Sequence, residues 1–169
     1  MIRSPHLIDT RVHDLSDRLR ERGLSVTHQR IAVYRSLLED DTHPDADRLY
    51  ERVRVLVPTI SLGTVYKALD TLKDLGAIME VDAPRSATRY EAVLEPHHHL
   101  VCDPCGAIID LHAPAYSKLR PPARAAGGFR VTGCTVQFRG TCPKCASRQT
   151  KPKKHSPARR SRGTPLQGG

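Results

Sequence analysis

Apolar residues recur at helical spacing through the first third of the chain. Val12, Leu15 and Leu19 make one stripe, with Gly23 where a C-terminal cap belongs. Ile31, Tyr34 and Leu38 make a second behind Thr27, whose hydroxyl suits an N-cap. Ala46, Leu49, Tyr50, Val53 and Val57 make a third behind Asp45. Pro58 ends that helix, because proline has no N–H to donate. A fourth opens at Ser61 or Thr59 and buries Leu62, Val65, Leu69, Leu72 and Leu75, with Gly76 just past its end. Its opposite face carries Ser61, Thr64, Lys67 and Thr71, all small or basic. Ile78 to Val81 and Thr88 to Val93 then read as two strands around a polar turn containing Pro84.

Short helices followed by a hairpin predict a winged helix-turn-helix over residues 11–93, behind an N-terminal arm at 1–10. The texture changes near residue 94. His99 to Cys102, Ile108 to Leu111 and Arg130 to Arg139 predict strands, with a helix from Tyr116 to Ala126 that Pro121 and Pro122 interrupt. The expected fold is therefore α+β, a winged helix followed by a small α/β domain ending at 146. Residues 147–169 are Lys, Arg, Pro, Ser and Gly with almost nothing apolar, and read as a basic disordered tail.

Charge sharpens this division. The chain has 27 Lys+Arg against 18 Asp+Glu, a net charge of +9, which points to a polyanionic partner. Seven of the basic residues, Arg148 to Arg162, lie in the tail, and residues 1–90 hold 14 of each sign. Any nucleic-acid reading in the folded part must use a local patch rather than bulk charge. No run approaches the roughly 20 apolar residues of a membrane span, and residues 1–14 lack the apolar core of a secretory leader. The expectation is a cytoplasmic protein with no membrane partner.

Cys102, Cys105, Cys142 and Cys145 form two C-x-x-C pairs. Two such turns complete a tetrahedral sulfur cage suited to zinc, closed to substrate and therefore structural; disulfides or redox pairs are the competing reading. Cys134 is left over, and alternation with Val136 and Phe138 reads it as a small buried hydrophobe. His97, His98 and His99 enter the strand ending at Cys102, so His97 and His99 share a face and His98 takes the other. With His43, Glu91, Glu95, Asp103 and Asp110 near them, these residues make either a second metal site or a solvated polar run.

Several separate segments, in order, resemble the ferric uptake regulator (Fur) family: Gly23 to Arg30, His43-Pro44 with Ala46, Asp47 and Tyr50, Ile60 to Tyr66, Arg89 to Glu91, His97 to Gly106, and Cys142 to Cys145. The resemblance implies a winged helix, an α/β dimerisation domain, structural Zn(II) on the four cysteines, and a regulatory metal on His43, Glu91, His97, His99 and Asp110. It implies a repressor that binds a palindromic operator as a homodimer, with Tyr66, Lys67 and Thr64 toward the bases and Ser61 and Arg30 toward phosphates. Asp110 is similar to the peroxide-sensing branch and Glu91 to iron sensors, so Fe(II) is the first choice of metal, with Mn(II) or Zn(II) the alternatives. An auxiliary site of many relatives uses a histidine in the strand that here reads Val131-Thr-Gly-Cys134, and an acid in the helix where Ser117 stands. Its absence leaves His98 without a partner.

Two other classes compete. Deaminases also combine His with C-x-x-C, but need Glu two residues after the His, and neither His97 nor His99 has one. No catalytic role is expected. A non-specific nucleic-acid-binding zinc protein, relying on its tail, is the second alternative.

Overall fold

The computed structural model describes residues 4–83, 87–92, 95–122, 124 and 127–149. Four helices come first: α1 (Pro5–Glu21), α2 (His28–Leu38), α3 (Ala46–Leu56) and α4 (Leu62–Asp74). Each starts where a short oxygen-bearing side chain satisfies an orphan amide. Thr27 accepts from the Arg30 amide, Asp45 from Arg48 and Ser61 from Thr64, at 3.3, 2.9 and 3.1 Å. Gly76, at φ +63°, ends α4 by turning the chain through the left-handed region while the Ala77 amide bonds back to the Leu72 carbonyl.

Residues 5–10, expected as an arm, instead form the first turns of α1. Ser4 caps it, Pro5 occupies the first turn where its missing N–H costs nothing, and Ile8 extends the buried stripe.

The helices surround one apolar core in which Leu15, Leu19, Val33, Leu37, Leu49, Val53, Val65, Leu69 and Leu72 are sealed from water. The antiparallel hairpin of β1 (Ile78–Val81) and β2 (Arg89–Ala92) closes it with Ile78, Tyr90 and Ala92. The turn containing Pro84, and Val93, lie outside the described residues.

A three-stranded sheet follows, ordered β4-β3-β5, with β3 (His98–Cys102) antiparallel to β4 (Ile108–Leu111) and parallel to β5 (Gln137–Gly140). Its buried apolar cluster is small: Val101 and Ile108, with Val81 reaching across from β1. Two predicted elements are shorter than expected. The helix after β4 is a single turn, α5 (Pro114–Ser117), ended ahead of Pro121 and Pro122. The strand predicted from Arg130 forms only at Gln137–Gly140, because β3 offers no pairing partner before His98. Cys134 consequently sits outside any strand and is only half-buried. α6 (Pro143–Gln149) takes the first three residues of the expected tail, and 150–169 lie outside the described residues. Among the described residues, no helix is long and apolar enough to cross a membrane.

Candidate metal centres

Cys102 ends β3, and Cys105 follows in a turn that Gly106 closes at φ +67°, its amide bonding to the Cys102 carbonyl at 2.8 Å. Cys142 follows β5, and Cys145 lies in the first turn of α6. The four Sγ atoms fall within 4.8 Å of one another, and Cys105 and Cys142 are 3.8 Å apart. That excludes a bond of about 2.05 Å but matches the edge, about 3.8 Å, of a tetrahedron with metal–sulfur distances of about 2.3 Å. The Cys142 amide donates to the Cys102 sulfur at 3.2 Å and, with the neighbouring thiols, brings its pKa down to about 7 against the effect of burial. Cys145 is pushed up to about 12 by its contact with the Cys105 sulfur and by burial. One thiolate forms readily and the next resists, so a cation is the natural partner of the full set.

The second cluster draws ligands from both parts of the fold. His43 lies between α2 and α3 at φ +52°, a conformation a non-glycine residue holds only under constraint. The constraint comes from β2: the Tyr90 amide bonds to the Pro44 carbonyl at 3.0 Å, and Arg89 donates to the His43 carbonyl and pairs with Asp45. Glu91 points inward from β2. His97 and His99 come from the entry and body of β3, and Asp110 from β4, directly opposite His99.

One Glu91 oxygen lies 2.7, 3.1 and 3.1 Å from the Nε2 atoms of His43, His97 and His99. The Nε2 atoms of His97 and His99 are themselves 3.1 Å apart, so only one of them can place a hydrogen between them. His97 donates its Nδ1 proton to the Glu95 carbonyl at 2.9 Å, which leaves Nε2 as a lone pair aimed inward. Asp110 Oδ1 is 3.0 Å from His43 Nε2 without forming a well-aligned hydrogen bond, and the other Glu91 oxygen is buried with no partner. Lone pairs about 3 Å apart fit ligands at about 2.1 Å from one ion. The donor set, three imidazoles and two carboxylates, suits a divalent transition metal.

Protons and hydrogen bonds within the cluster shift its titrating groups together. Burial lowers the pKa of His43, but the close approach of the Asp110 carboxylate, the Glu91 hydrogen bond and the charges of both outweigh it and lift it to about 9. His97 is raised in the same way, against burial, by the Glu95 carbonyl and the two carboxylates. Burial works against the Glu91 carboxylate, yet hydrogen bonds from His43 and His99 hold it far below the usual range. The close approach of His43 also lowers the pKa of Asp110. The raised histidine stabilises the metal-free fold below about pH 6.5 and loses that contribution as pH rises through about 9. The lowered carboxylates contribute above about pH 4 and lose it in acid. An ion bound here would therefore release protons at pH 7 and bind more tightly as pH rises toward 9. Calorimetry in two buffers of different ionisation heat should register about one or more protons released per ion; zero release would contradict the assignment.

Of the residues expected at DNA, Tyr66 is 46% exposed, so it is not a core aromatic, and Lys67 beside it is exposed. Ser61 and Thr64 bond to each other at 2.8 Å at the start of α4. Arg30 is folded back, donating to the Ser25 carbonyl rather than standing free. His98, expected to lack a partner, has two: it is fully buried, accepts from the Val136 amide on Nδ1 at 3.2 Å, and meets the Ser117 hydroxyl with Nε2 at 3.3 Å. These partners lie 38 and 19 residues away in the chain, beyond what spacing reveals. The bracing of His43 by Arg89 was likewise not visible in the sequence.

The model of the ferric uptake regulator family matches residues 21–139. The peroxide-responsive repressor PerR of Staphylococcus saprophyticus is 33% identical over 141 residues, spanning 82% of this chain and 95% of that protein. Among solved structures, the Campylobacter jejuni peroxide stress regulator matches at 32% identity with a TM-score of 0.61, covering 75% of this chain and 96% of its own. The Helicobacter pylori ferric uptake regulator shares the fold at 22% identity, with a TM-score of 0.71 over 82% of this chain and 93% of that one.

Proposed function

The chain belongs to the ferric uptake regulator family, and from that premise we propose that it is a metal-dependent repressor that binds DNA as a dimer when a divalent ion occupies the cluster of His43, Glu91, His97, His99 and Asp110. One observation carries the reading: five ligand atoms from two separate parts of the fold lie within 4.8 Å of one another. His43 and Glu91 belong to the helical part, and His97, His99 and Asp110 to the part built on β3 and β4. We take the boundary between the DNA-binding and dimerisation domains at residues 93 and 94.

An ion held by both parts favours one orientation of α4 by its differential affinity for that orientation. Cys102, Cys105, Cys142 and Cys145 hold structural Zn(II), a closed set with no position for substrate, so the chain acts as a regulator rather than an enzyme. Leu100, Ile109 and Phe138 form a cross-strand row on the exposed face of the second sheet, which a second copy covers. The dimer presents two α4 helices to a palindromic operator, in the cytoplasm where the DNA is.

On the DNA, Tyr66 meets a thymine methyl, Lys67 and Thr64 reach base edges, and Ser61 contacts phosphate. Arg30 contacts phosphate after leaving the Ser25 carbonyl. Lys67→Ala should weaken operator binding by about 5- to 150-fold, the range of one lost base contact. Unchanged affinity across a salt series removes Lys67 from the interface.

Fe(II) is the leading regulatory ion, with Mn(II) or Zn(II) as alternatives. A peroxide-sensing role is the second reading, favoured by Asp110 and by the peroxide-responsive relative. When bound, Fe(II) supplies the redox chemistry by which peroxide oxidises a ligating imidazole. Anaerobic titration of duplex binding with each ion tests the function, and no response to any of them would refute it. Brief peroxide on the Fe(II) form separates the two signals: lost binding with oxygen added to His43 or His97 marks peroxide sensing, and unchanged binding marks iron sensing.

A further inference from the structure

The β3–β4 ladder pairs His99 with Asp110 and His98 with Leu111. The next step outward sets His97 opposite His112, and the two rings lie 5.8 Å apart between centroids. Alternation along each strand puts His97 and His99 on one side of β3, and Asp110 and His112 on the same side of β4. Three of these four side chains belong to the metal cluster. His112 is the fourth corner of the same face and lies outside the cluster.

Exposure grades along this face. His99, His43 and Glu91 are 2, 3 and 6% exposed, His97 is 11% and Asp110 is 29%. His112 is exposed to solvent. The cluster thus opens at the edge formed by His97 and Asp110, where His112 stands. An ion entering from water must exchange its hydration shell for protein ligands stepwise, and imidazole is a donor suited to most of the divalent ions in question.

We propose that His112 is a transfer ligand: with His97 it takes a divalent cation from solvent, passes it to the buried set of His43, Glu91 and His99, and serves the same path in reverse. The proposal rests on the cluster being a metal site. A group used only in transit lowers the barrier in both directions and leaves the equilibrium unchanged. Its removal therefore slows entry and exit by the same factor.

The test is stopped-flow uptake of Co(II), followed by its visible absorption, and its removal by excess EDTA. Both are measured on the full chain with zinc on its cysteines. His112→Ala should slow both rates on the order of tenfold, the scale on which groups outside a ligand set act, while the dissociation constant moves by less than about threefold. His112→Asp, which can ligate, should restore most of the rate, and His112→Gln should not. Unchanged rates overturn the proposal, as do faster release with lost affinity or equal rescue by Gln. If His43→Ala takes up Co(II) with unaltered rate, affinity and spectrum, the metal reading itself fails, an outcome distinct from failure of His112 alone.

Discussion

Cys102→Ser is expected to abolish structural zinc and, with it, the fold of the second sheet. The helical part has a core of more than twenty buried residues, whereas the second sheet has Val101 and Ile108 with Val81 from the hairpin. So few apolar groups cannot offset the entropy of ordering residues 97–149. With zinc bound as proposed, the sulfur cage would tie β3, the end of β5 and α6 together, at the point where the Cys142 amide bonds to the Cys102 sulfur. Structural zinc contributes about 10–16 kcal/mol in small domains, against a total stability of about 5–15 kcal/mol for a typical protein. Elemental analysis should find the structural zinc gone, and circular dichroism should keep the helical signal of α1 to α4 while dimers dissociate. A zinc-free variant that stays dimeric with its sheet intact would show that the cage does not hold the sheet together.

Glu91→Gln should leave that zinc untouched and weaken the regulatory ion by at least about 100-fold, equivalent to about 2.7 kcal/mol. One Glu91 oxygen lies within 3.1 Å of all three imidazole Nε2 atoms, so it sits where the ligands converge. The amide keeps the shape of the side chain but removes the charge that an ion needs and that lifts His43. Competition titration with Mn(II) measures the loss. A change under about threefold would place the ion elsewhere.

Much of this architecture is legible in the sequence because it is local. Thr27, Asp45 and Ser61 cap the helices they precede, and alternation alone puts His97 and His99 on a face opposite His98. The resemblance, rather than spacing, singled out His43 and Glu91, which converge with the strand histidines only through tertiary folding. What could not be read depends on partners remote in the chain. α1 starts at Pro5 because Ile8 finds a place in the core, and β5 is short because β3 begins only at His98. His98 is satisfied by Val136 and Ser117, which no periodicity links to it.

An ion that joins the two parts of the fold must couple to DNA binding. Coupling is reciprocal: if the ion tightens DNA binding by some factor, DNA must tighten ion binding by the same factor. The decisive measurement is the Mn(II) dissociation constant of the zinc-loaded chain, with and without saturating operator duplex. Operator should tighten Mn(II) by about 5- to 150-fold, and His43→Ala should abolish the effect. An identical Mn(II) affinity in the presence and absence of operator would contradict the coupling.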